Sequence, residues 1–419
     1  MQRFKKLLCL LLVVSFICTG SLLWAGGAKE GAKPVKIGAL IPLTGALSEF
    51  GKGFRDAGDM VVKQFAEAGF PIELKYGDTE TAAIPGVEAA RTLVNVENVP
   101  VLIGAAASGV SIPVAESVSI PNQIPQISNA STSPLLTLLP ADQGKDFLFR
   151  TCPSDALQGV ILGKLAADEG YKKAAVFWVN NPYGQGLMEE FKASFEKRGG
   201  KIVASVPHDE KPAPTYVSEL KQLMQAQPEI MLALGYPGQA TVYLKEFFEA
   251  GYNKTTKLLF CDGTKSVEMP KALGPQNLAG FLGTAAGSEG GVSSEIFKKD
   301  FEQIYGKLPP LPYMDNFYDA VVIAGLAAAT CQAQKKPITG VNVRDNLRFV
   351  ANPPGEVVNA GVAGFKKALE LIKAGKDINY EGAAGSNDFD KNGDVVTPIE
   401  VWKYIEQDPY IQTIRLEKP

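Results

Sequence analysis

Short apolar runs bounded by glycine and proline alternate with amphipathic stretches over most of this 419-residue chain. Strands are predicted at residues 35–41, 71–76, 99–103, 174–179, 201–206, 230–234 and 258–260, and around Ile127. Between the second and third of these strands, Val87, Ala90 and Val94 recur at i, i+3 and i+7, which predicts a helix over residues 86–97. Such alternation is typical of parallel sheets that are covered by helices on both faces. We therefore predict an α/β fold of doubly wound parallel sheets.

The first 25 residues differ from everything that follows. Three basic residues precede an apolar run over residues 7–24, and the small residues 25–28 come next. This order is typical of a secretory signal peptide. We expect residues 1–25 to be a cleaved leader, with the cut after Ala25 or Ala28, and the mature protein to lie in the periplasm.

Two alternatives to a cleaved leader stay open. The apolar run over residues 7–24 has 18 residues, just the length needed to cross a bilayer as a permanent anchor. Cys18 is a candidate for lipidation after cleavage, although Ile17 stands where lipoprotein signals normally carry Gly or Ala. We prefer the cleaved, unlipidated form.

Charge and residue usage exclude several classes of protein. The net charge is −3 and becomes −6 when residues 1–25 and their three basic side chains are removed, which argues against a nucleic-acid surface. The single histidine, His208, excludes most His-based catalysis and any multi-histidine metal site, and we expect it to be a solvated surface residue. We expect no cofactor.

Cysteines and acidic residues do not form a recognisable metal site. Cys152, Cys261 and Cys331 are widely spaced, so we expect buried thiols, with one disulfide as the alternative. The segment from Asp388 begins like a calcium loop, but Ile399 occupies the twelfth position, where a bidentate Glu is required. We therefore predict a turn there and no metal.

The loops that follow three predicted strands are rich in small and hydroxylated residues. They cover residues 42–46, 104–108 and 128–133. Because ligands of open α/β sheets bind beyond the carboxyl ends of strands, these loops suit a small polar or anionic group. Helix capping is the alternative role of their Ser and Thr residues.

Several short segments, in their order and spacing, resemble one protein family. They are Lys36–Gly45 with Phe50 and Gly51, Ile103–Ser108, Ile127–Pro134, Asn181–Gly184, Leu234–Tyr236, Tyr318–Ala320, and Phe389–Asp394 before Val401 and Trp402. Over residues 34–405 the chain resembles the periplasmic solute-binding proteins of ABC transporters, in the branched-chain amino-acid (Leu/Ile/Val-binding) family.

The resemblance implies a type I periplasmic binding fold. Two α/β lobes would be joined by three hinge strands, with solute in the cleft between them. Lobe 1 would comprise residues 34–151 and 285–392, and lobe 2 residues 152–284 and 393–419. Such proteins close by hinge bending when solute bridges the lobes. The implied partners are an ABC permease and its ATPase subunits, and we expect a monomer.

The resemblance also implies which residues hold the solute. Family members bind an amino acid's carboxylate at positions that match Ser108, the backbone of Ala130, and Thr132, and its ammonium group at the position of Asp262. Neutral donors on a rigid loop suit a carboxylate. The alternatives are helix capping for the two hydroxyl residues and an Asp-Gly turn for Asp262.

Aromatic residues complete the implied site. Tyr183 and Tyr236 match positions of lobe 2 that close over the ligand, and Phe50 stands where the family often has Tyr. Their alternative role is core packing. Because Phe50 lacks a hydroxyl group, strict selectivity for Leu, Ile or Val is in doubt, and amides, aromatic acids and other small carboxylates stay open as ligands.

The sequence leaves three functions to consider. The first is a solute receptor that delivers its ligand, an amino acid or a related carboxylate or amide, to a membrane permease. The second is a ligand-sensing receptor that uses the same fold for signalling. The third is an enzyme, which the lack of a Ser-His-Asp set, paired metal ligands and a phosphate-binding loop disfavours. We expect no catalytic residues.

Overall fold

The computed structural model of the protein describes residues 33–418, in which strands and helices alternate. The strands are β1 Val35–Ile41, β2 Ile72–Asp78, β3 Leu102–Ile103, β4 Gln126–Ser128, β5 Leu148–Arg150, β6 Lys173–Val179, β7 Lys201–His208, β8 Ile230–Leu234, β9 Lys257–Phe260, β10 Leu282–Ala286, β11 Glu356–Asn359, β12 Ile378–Glu381, β13 Ile399–Tyr404 and β14 Ile411–Glu417. The α-helices are α1 Ser48–Ala68, α2 Ala83–Asn95, α3 Ser108–Val114, α4 Pro134–Thr137, α5 Asp155–Asp168, α6 Pro182–Lys197, α7 Val217–Gln225, α8 Pro237–Glu249, α9 Glu268–Leu273, α10 Pro275–Leu278, α11 Val292–Tyr305, α12 Met314–Ala333, α13 Gly340–Ala351 and α14 Gly361–Lys373. The leader predicted at residues 1–25 and its Cys18 lie outside the described residues.

The first sheet is parallel throughout, with the strand order β2-β1-β3-β4-β5. The last five residues of β1 are buried, and β3, β4 and β5 are buried along their whole length. Strands that are covered on both faces are continuously apolar, which is the pattern that the sequence shows at β1. The loops after β1, β3 and β4 therefore meet at one edge of this sheet.

The second sheet has the order β14-β13-β10-β9-β8-β6-β7. From β7 to β10 its neighbours are parallel, but β13 runs antiparallel to β10, and β14 antiparallel to β13. The predicted α/β fold with parallel sheets is confirmed, and the antiparallel edge is a finding that the sequence did not indicate. Within this edge β13 and β14 form a hairpin, in which the amide of Ile405 donates to the carbonyl of Tyr410 at 2.8 Å.

One predicted strand is shorter than expected. The run at residues 99–103 forms only the two-residue strand β3. Pro100 has no amide hydrogen for a strand partner, and the amide of Val99 donates instead to the carbonyl of Leu93 at the end of α2. The neighbouring helix covers Ala83–Asn95, close to the predicted 86–97.

The structure confirms the prediction for the three cysteines and contradicts the one for His208. Cys152, Cys261 and Cys331 are free thiols and are buried, as expected. The expectation of a solvated His208 is wrong. Its ring is buried, with its centroid 4.8 Å from that of Phe177, and the loss of hydration lowers its pKa.

Helix α12 runs through the core and is buried on nearly every side. Within residues 33–418, no helix has both the length and the apolar character needed to cross a membrane. The division into lobes at residues 34–151 with 285–392, and 152–284 with 393–419, stays a prediction.

Candidate functional site

Loop and helix residues, several of which follow strands of the two sheets, surround one small cavity. Its free volume is about 20 Å³, which is room for about one water molecule. The walls are formed by Leu47, Phe50, Ala106, Ala107, Ser108, Ala130, Tyr183, Tyr236, Asp262, Gly263 and Tyr313. Six predicted site residues therefore lie on one cavity, and the seventh, Thr132, does not line it.

One wall offers uncharged hydrogen-bond donors. Ser108 is the first residue of α3, and its Oγ accepts a hydrogen bond from the amide of Ser133 at 3.2 Å. Since that bond uses only the oxygen, the hydroxyl hydrogen of Ser108 remains available to a ligand. The amide of Ala130 has only a long contact, 3.4 Å, to Ser128 Oγ. This wall can therefore donate to an anion.

A buried arginine supports that wall from behind. Arg150, at the end of β5, donates to the carbonyls of Ser131 and Ser133 at 3.2 and 3.0 Å. Its Nε is 2.7 Å from Asp394 Oδ1, and Nη2 donates to Thr137 Oγ1 at 2.7 Å. The guanidinium group thus ties the loop after β4 to β5 and to Asp394. The sequence analysis did not identify Arg150, although a lone Arg at the end of a buried strand was a usable signal.

Asp262 lies on the opposite wall and is buried. Its Oδ1 accepts hydrogen bonds from Gln158 Nε2 at 2.8 Å and Tyr183 OH at 2.7 Å, and its Oδ2 accepts one from Tyr313 OH at 2.8 Å. Burial raises the pKa of Asp262, while these three donors lower it. Among the described residues, no Lys, Arg or His forms an ion pair with it. The carboxylate is thus held by neutral groups alone.

Aromatic rings form much of the remaining wall. Tyr183 and Tyr236 stack, with centroids 5.7 Å apart and planes inclined by 11°. Tyr236 OH accepts from Asn181 Nδ2 at 2.9 Å, and Asn181 Oδ1 caps α6 by accepting from Gly184 N at 2.9 Å. Tyr313 has a left-handed φ of 68°, and its hydroxyl donates to Asp262. Burial raises the pKa of all three tyrosines, so they remain neutral.

Thr132 lies beside a second buried acid, Asp155. The Thr132 hydroxyl donates to Asp155 Oδ2 at 2.8 Å, and the amide of Asp155 donates to the carbonyl of Thr132 at 2.8 Å. Asp155 Oδ1 is buried without a hydrogen-bond partner in the described part of the chain. Burial and then the charge of Asp262 raise the pKa of Asp155 well above its ordinary value. Asp155 and Gln158, one turn apart on α5, were not identified from the sequence.

Two hydrogen-bonded contacts, which we call the rim, involve residues that stand next to wall residues in the sequence: Glu49 precedes Phe50, and Pro182 precedes Tyr183. Glu49, on α1, accepts from the hydroxyl of Ser266 and from the amide of Val267 at 2.8 Å. Ser133 Oγ donates to the carbonyl of Pro182 at 2.8 Å. With the small free volume of the cavity, these contacts describe a closed site.

The calcium-like segment forms a turn, as predicted. Asp390 Oδ1 accepts from the amides of Asn392 and Asp394 at 2.7 and 3.0 Å. Within residues 33–418, no three His, Cys, Asp or Glu side chains are grouped so as to hold a metal ion.

The sequence was compared with known families and proteins. Residues 34–401 match the family model described as periplasmic binding protein. BasB of Halobacterium salinarum, a chemotactic signal transduction system substrate-binding protein, is 26% identical over 369 residues, which cover 85% of this chain and 84% of BasB. Leu/Ile/Val-binding protein homolog 3 of Brucella melitensis is 28% identical over 314 residues, which cover 73% of this chain and 82% of that protein.

Solved structures share the fold. The leucine binding protein LivK of Thermotoga maritima has a TM-score of 0.75 and 22% identity, covering 92% of this chain and 99% of LivK. LivJ of Streptococcus pneumoniae, solved with isoleucine, has a TM-score of 0.72 and 18% identity, covering 92% of this chain and 99% of LivJ. A solute binding protein of Rhodopseudomonas palustris, solved with 3,4-dihydroxybenzoic acid, has a TM-score of 0.72 and 19% identity over 92% of this chain and 97% of that protein.

The match covers nearly all of the described residues, and the two sheets agree with the structures of solute receptors. The chain therefore belongs to the type I periplasmic binding proteins of the branched-chain amino-acid family, whose members bind solutes and are not enzymes.

Proposed function

We propose that this protein is an extracytoplasmic, monomeric receptor that binds an α-amino acid in the cavity and delivers it to the permease and ATPase subunits of an ABC importer. One observation carries the choice of ligand. Asp262 is a buried carboxylate with three neutral donors and no cationic partner among the described residues, and it shares the cavity with the donors at Ser108 and Ala130.

This arrangement matches the charge order of a zwitterion. The carboxylate of an amino acid accepts hydrogen bonds from the Ser108 hydroxyl and the Ala130 amide, while its ammonium group supplies the cation that Asp262 lacks. A simple aromatic carboxylate would leave the charge of Asp262 uncompensated and would add a second anion close to it. Like charges in a buried site raise each other's pKa and weaken binding. The cavity therefore favours an amino acid over an aromatic acid.

The apolar walls indicate the side chain of the ligand. Phe50, Leu47 and the stacked rings of Tyr183 and Tyr236 present mainly carbon atoms to the cavity. An aliphatic or aromatic side chain gains free energy by leaving water for such a surface. Since about 20 Å³ is free in the closed site, the cavity must enlarge to accept the ligand, and hinge bending between the two expected lobes supplies that motion.

Thermal shift and calorimetry on residues 26–419 test the ligand class. A ligand that binds only the native state raises the melting temperature by mass action. Leucine, isoleucine or valine should raise it, whereas benzoate and 4-hydroxybenzoate should not. The substitution Asp262→Asn should reduce the shift at a given leucine concentration, and Asp408→Asn, at a side chain that is 70% exposed, should preserve it. A shift with aromatic acids alone would remove the amino-acid assignment.

Signalling is a second candidate, and the similarity to BasB favours it. That chemotactic substrate-binding protein aligns with 85% of this chain. Deletion of the gene separates the two roles. Loss of uptake of the labelled amino acid supports the importer, whereas intact uptake with lost chemotaxis toward the same amino acid supports signalling.

A further inference from the structure

Thr132 and Asp155 form a buried pair next to the cavity but not on its wall. Their side chains are joined by one hydrogen bond of 2.8 Å, and a backbone hydrogen bond of 2.8 Å holds the two residues in register. The chain places Thr132 two residues after Ala130, which lines the cavity. The other carboxyl oxygen of Asp155, Oδ1, is buried and without a partner in the described residues.

The direction of the Thr132–Asp155 hydrogen bond depends on one proton. A carboxylate can only accept, so ionised Asp155 uses the single hydroxyl hydrogen of Thr132. Neutral Asp155 carries a hydroxyl hydrogen of its own, which can be donated to Thr132 Oγ1. In that case the hydrogen of Thr132 is released to a third partner. Both states join the same two oxygen atoms, Thr132 Oγ1 and Asp155 Oδ2.

The surroundings of Asp155 favour its neutral form. Burial raises its pKa most, and the charges of Asp262, on the loop after β9, and Glu190, on α6, raise it further. The Thr132 hydroxyl and the guanidinium group of Arg150, on β5, act in the opposite direction. Arg150 is already paired with Asp394 at 2.7 Å, so its charge is largely committed elsewhere.

We propose that Asp155 is a positioning residue for the bound carboxylate: in its neutral form it donates to Thr132 Oγ1, which turns the Thr132 hydroxyl hydrogen toward the ligand. This inference rests on the proposed amino-acid site. It explains why a threonine that the family resemblance assigns to the ligand instead faces an acid, and why one oxygen of that acid has no partner.

The proton balance of binding follows directly. When the ligand carboxylate arrives beside ionised Asp155, Asp155 takes up one proton from the solvent and reverses the hydrogen bond. Affinity therefore falls as pH rises above the pKa of Asp155 in the free protein, by up to about tenfold per pH unit. Asp262 gives affinity the opposite pH dependence. Its protonation at low pH removes the negative charge that binds the ammonium group of the ligand, so affinity falls there.

Calorimetry with leucine from about pH 5 to about pH 8.5, in two buffers of different ionisation enthalpy, measures both effects. The wild type should take up a proton on the alkaline side of the profile, and its Kd should rise there. Asp155→Asn, whose amide donates permanently to Thr132 Oγ1, should bind with no alkaline loss of affinity and no proton uptake. Thr132→Val should also lose this limb, whereas Thr132→Ser, which keeps the hydroxyl, should retain it.

An alkaline limb that is unchanged in Asp155→Asn and in Thr132→Val would overturn the inference. If Asp155→Asn fails to fold, the pair Thr132→Val and Thr132→Ser provides the same comparison. Failure of the wild type to bind any amino acid would instead overturn the proposed function. The two failures are therefore distinguishable.

Discussion

The charge of Asp262 is the feature of the cavity whose removal should have the most specific effect. Asparagine has nearly the same size and shape, so Asp262→Asn keeps the packing against Tyr183 and Tyr313, whose hydroxyl groups lie 2.7 and 2.8 Å from the carboxylate. The substitution removes one negative charge that has no cationic partner among the described residues. An ammonium group of the ligand is the group that gains most from that charge.

The magnitude follows from the kind of contact that is lost. A hydrogen bond to a charged group contributes about 1.5–3 kcal/mol, twice or more what a neutral one does. Because a neutral amide at position 262 retains about half of that contribution, the substitution should cost about 1–1.5 kcal/mol, or roughly tenfold in Kd. A ligand without an ammonium group should gain from the substitution, because Asp262 no longer repels its carboxylate.

Calorimetric titration of the wild type and Asp262→Asn with leucine and 4-methylpentanoate measures this difference. The second compound is leucine without its amino group, so the two ligands share their carboxylate and side-chain contacts. We expect the roughly tenfold loss for leucine and equal or tighter binding for 4-methylpentanoate. Equal losses for both ligands would refute the assignment of Asp262 to the ammonium group.

Three further substitutions test other parts of the structure. Tyr313→Phe removes one donor from Asp262 and should weaken leucine binding by about fivefold in calorimetry, the effect of one modest hydrogen bond; unchanged affinity would show that this contact is irrelevant to the ligand. Arg150→Ala leaves buried acceptors unpaired and should lower the free energy of unfolding, measured in urea, by about 3–5 kcal/mol. The control Arg348→Ala, at a half-exposed ion pair, should cost about 1 kcal/mol or less. Equal costs would contradict the supporting role of Arg150. Burial raises the pKa of Asp319 to about 7, so between about pH 4 and about pH 7 the folded state keeps a proton that the unfolded chain loses. The free energy of unfolding should therefore fall as pH rises through this range. Asp319→Asn should flatten this decline, measured as urea midpoints, and an unchanged slope would assign the decline to other groups.

Several strands were predictable because their limits are local. The predicted and observed bounds of β1 agree, because Pro34 and Pro42 flank it and proline cannot continue a strand ladder. The bounds of β8 also agree, where Gly235 follows the apolar run. The five-residue prediction that contained Pro100 was too long for the same reason: proline within a run ends pairing.

Other features depend on residues that are distant in sequence. Tyr313 donates to Asp262, 51 positions away in the chain, and follows a proline-rich segment with a left-handed φ of 68°. No periodic pattern in the sequence indicates this contact. His208 stands between Pro207 and Asp209, which suggested a surface position. Its aromatic neighbours come from other elements, so its burial was not visible locally.

Six of the seven expected site residues line the cavity, and the exception, Thr132, has a physical reason. Ser108, Ala130 and Asp262 follow buried strands, and the parallel arrangement of those strands delivers them to the cavity. The orientation of a threonine hydroxyl is set by whichever strong acceptor lies nearby. The acceptor for Thr132 is Asp155, 23 positions further along the chain, and no short-range pattern links the two.

The rim contacts should affect the affinity for every ligand, whereas the wall residues should determine the selectivity between ligands. Glu49 accepts hydrogen bonds from Ser266 and Val267, and Ser133 donates one to the carbonyl of Pro182. We expect these contacts, which residues outside the cavity walls make, to contribute a similar free energy to the complex of every ligand that the enlarged cavity holds. Differences between ligands in how strongly they favour the closed state come only from contacts that the open state lacks. The wall residues make those contacts. Changes at the rim should therefore scale the Kd of all ligands together, whereas a change at Asp262 alters the ratio between them.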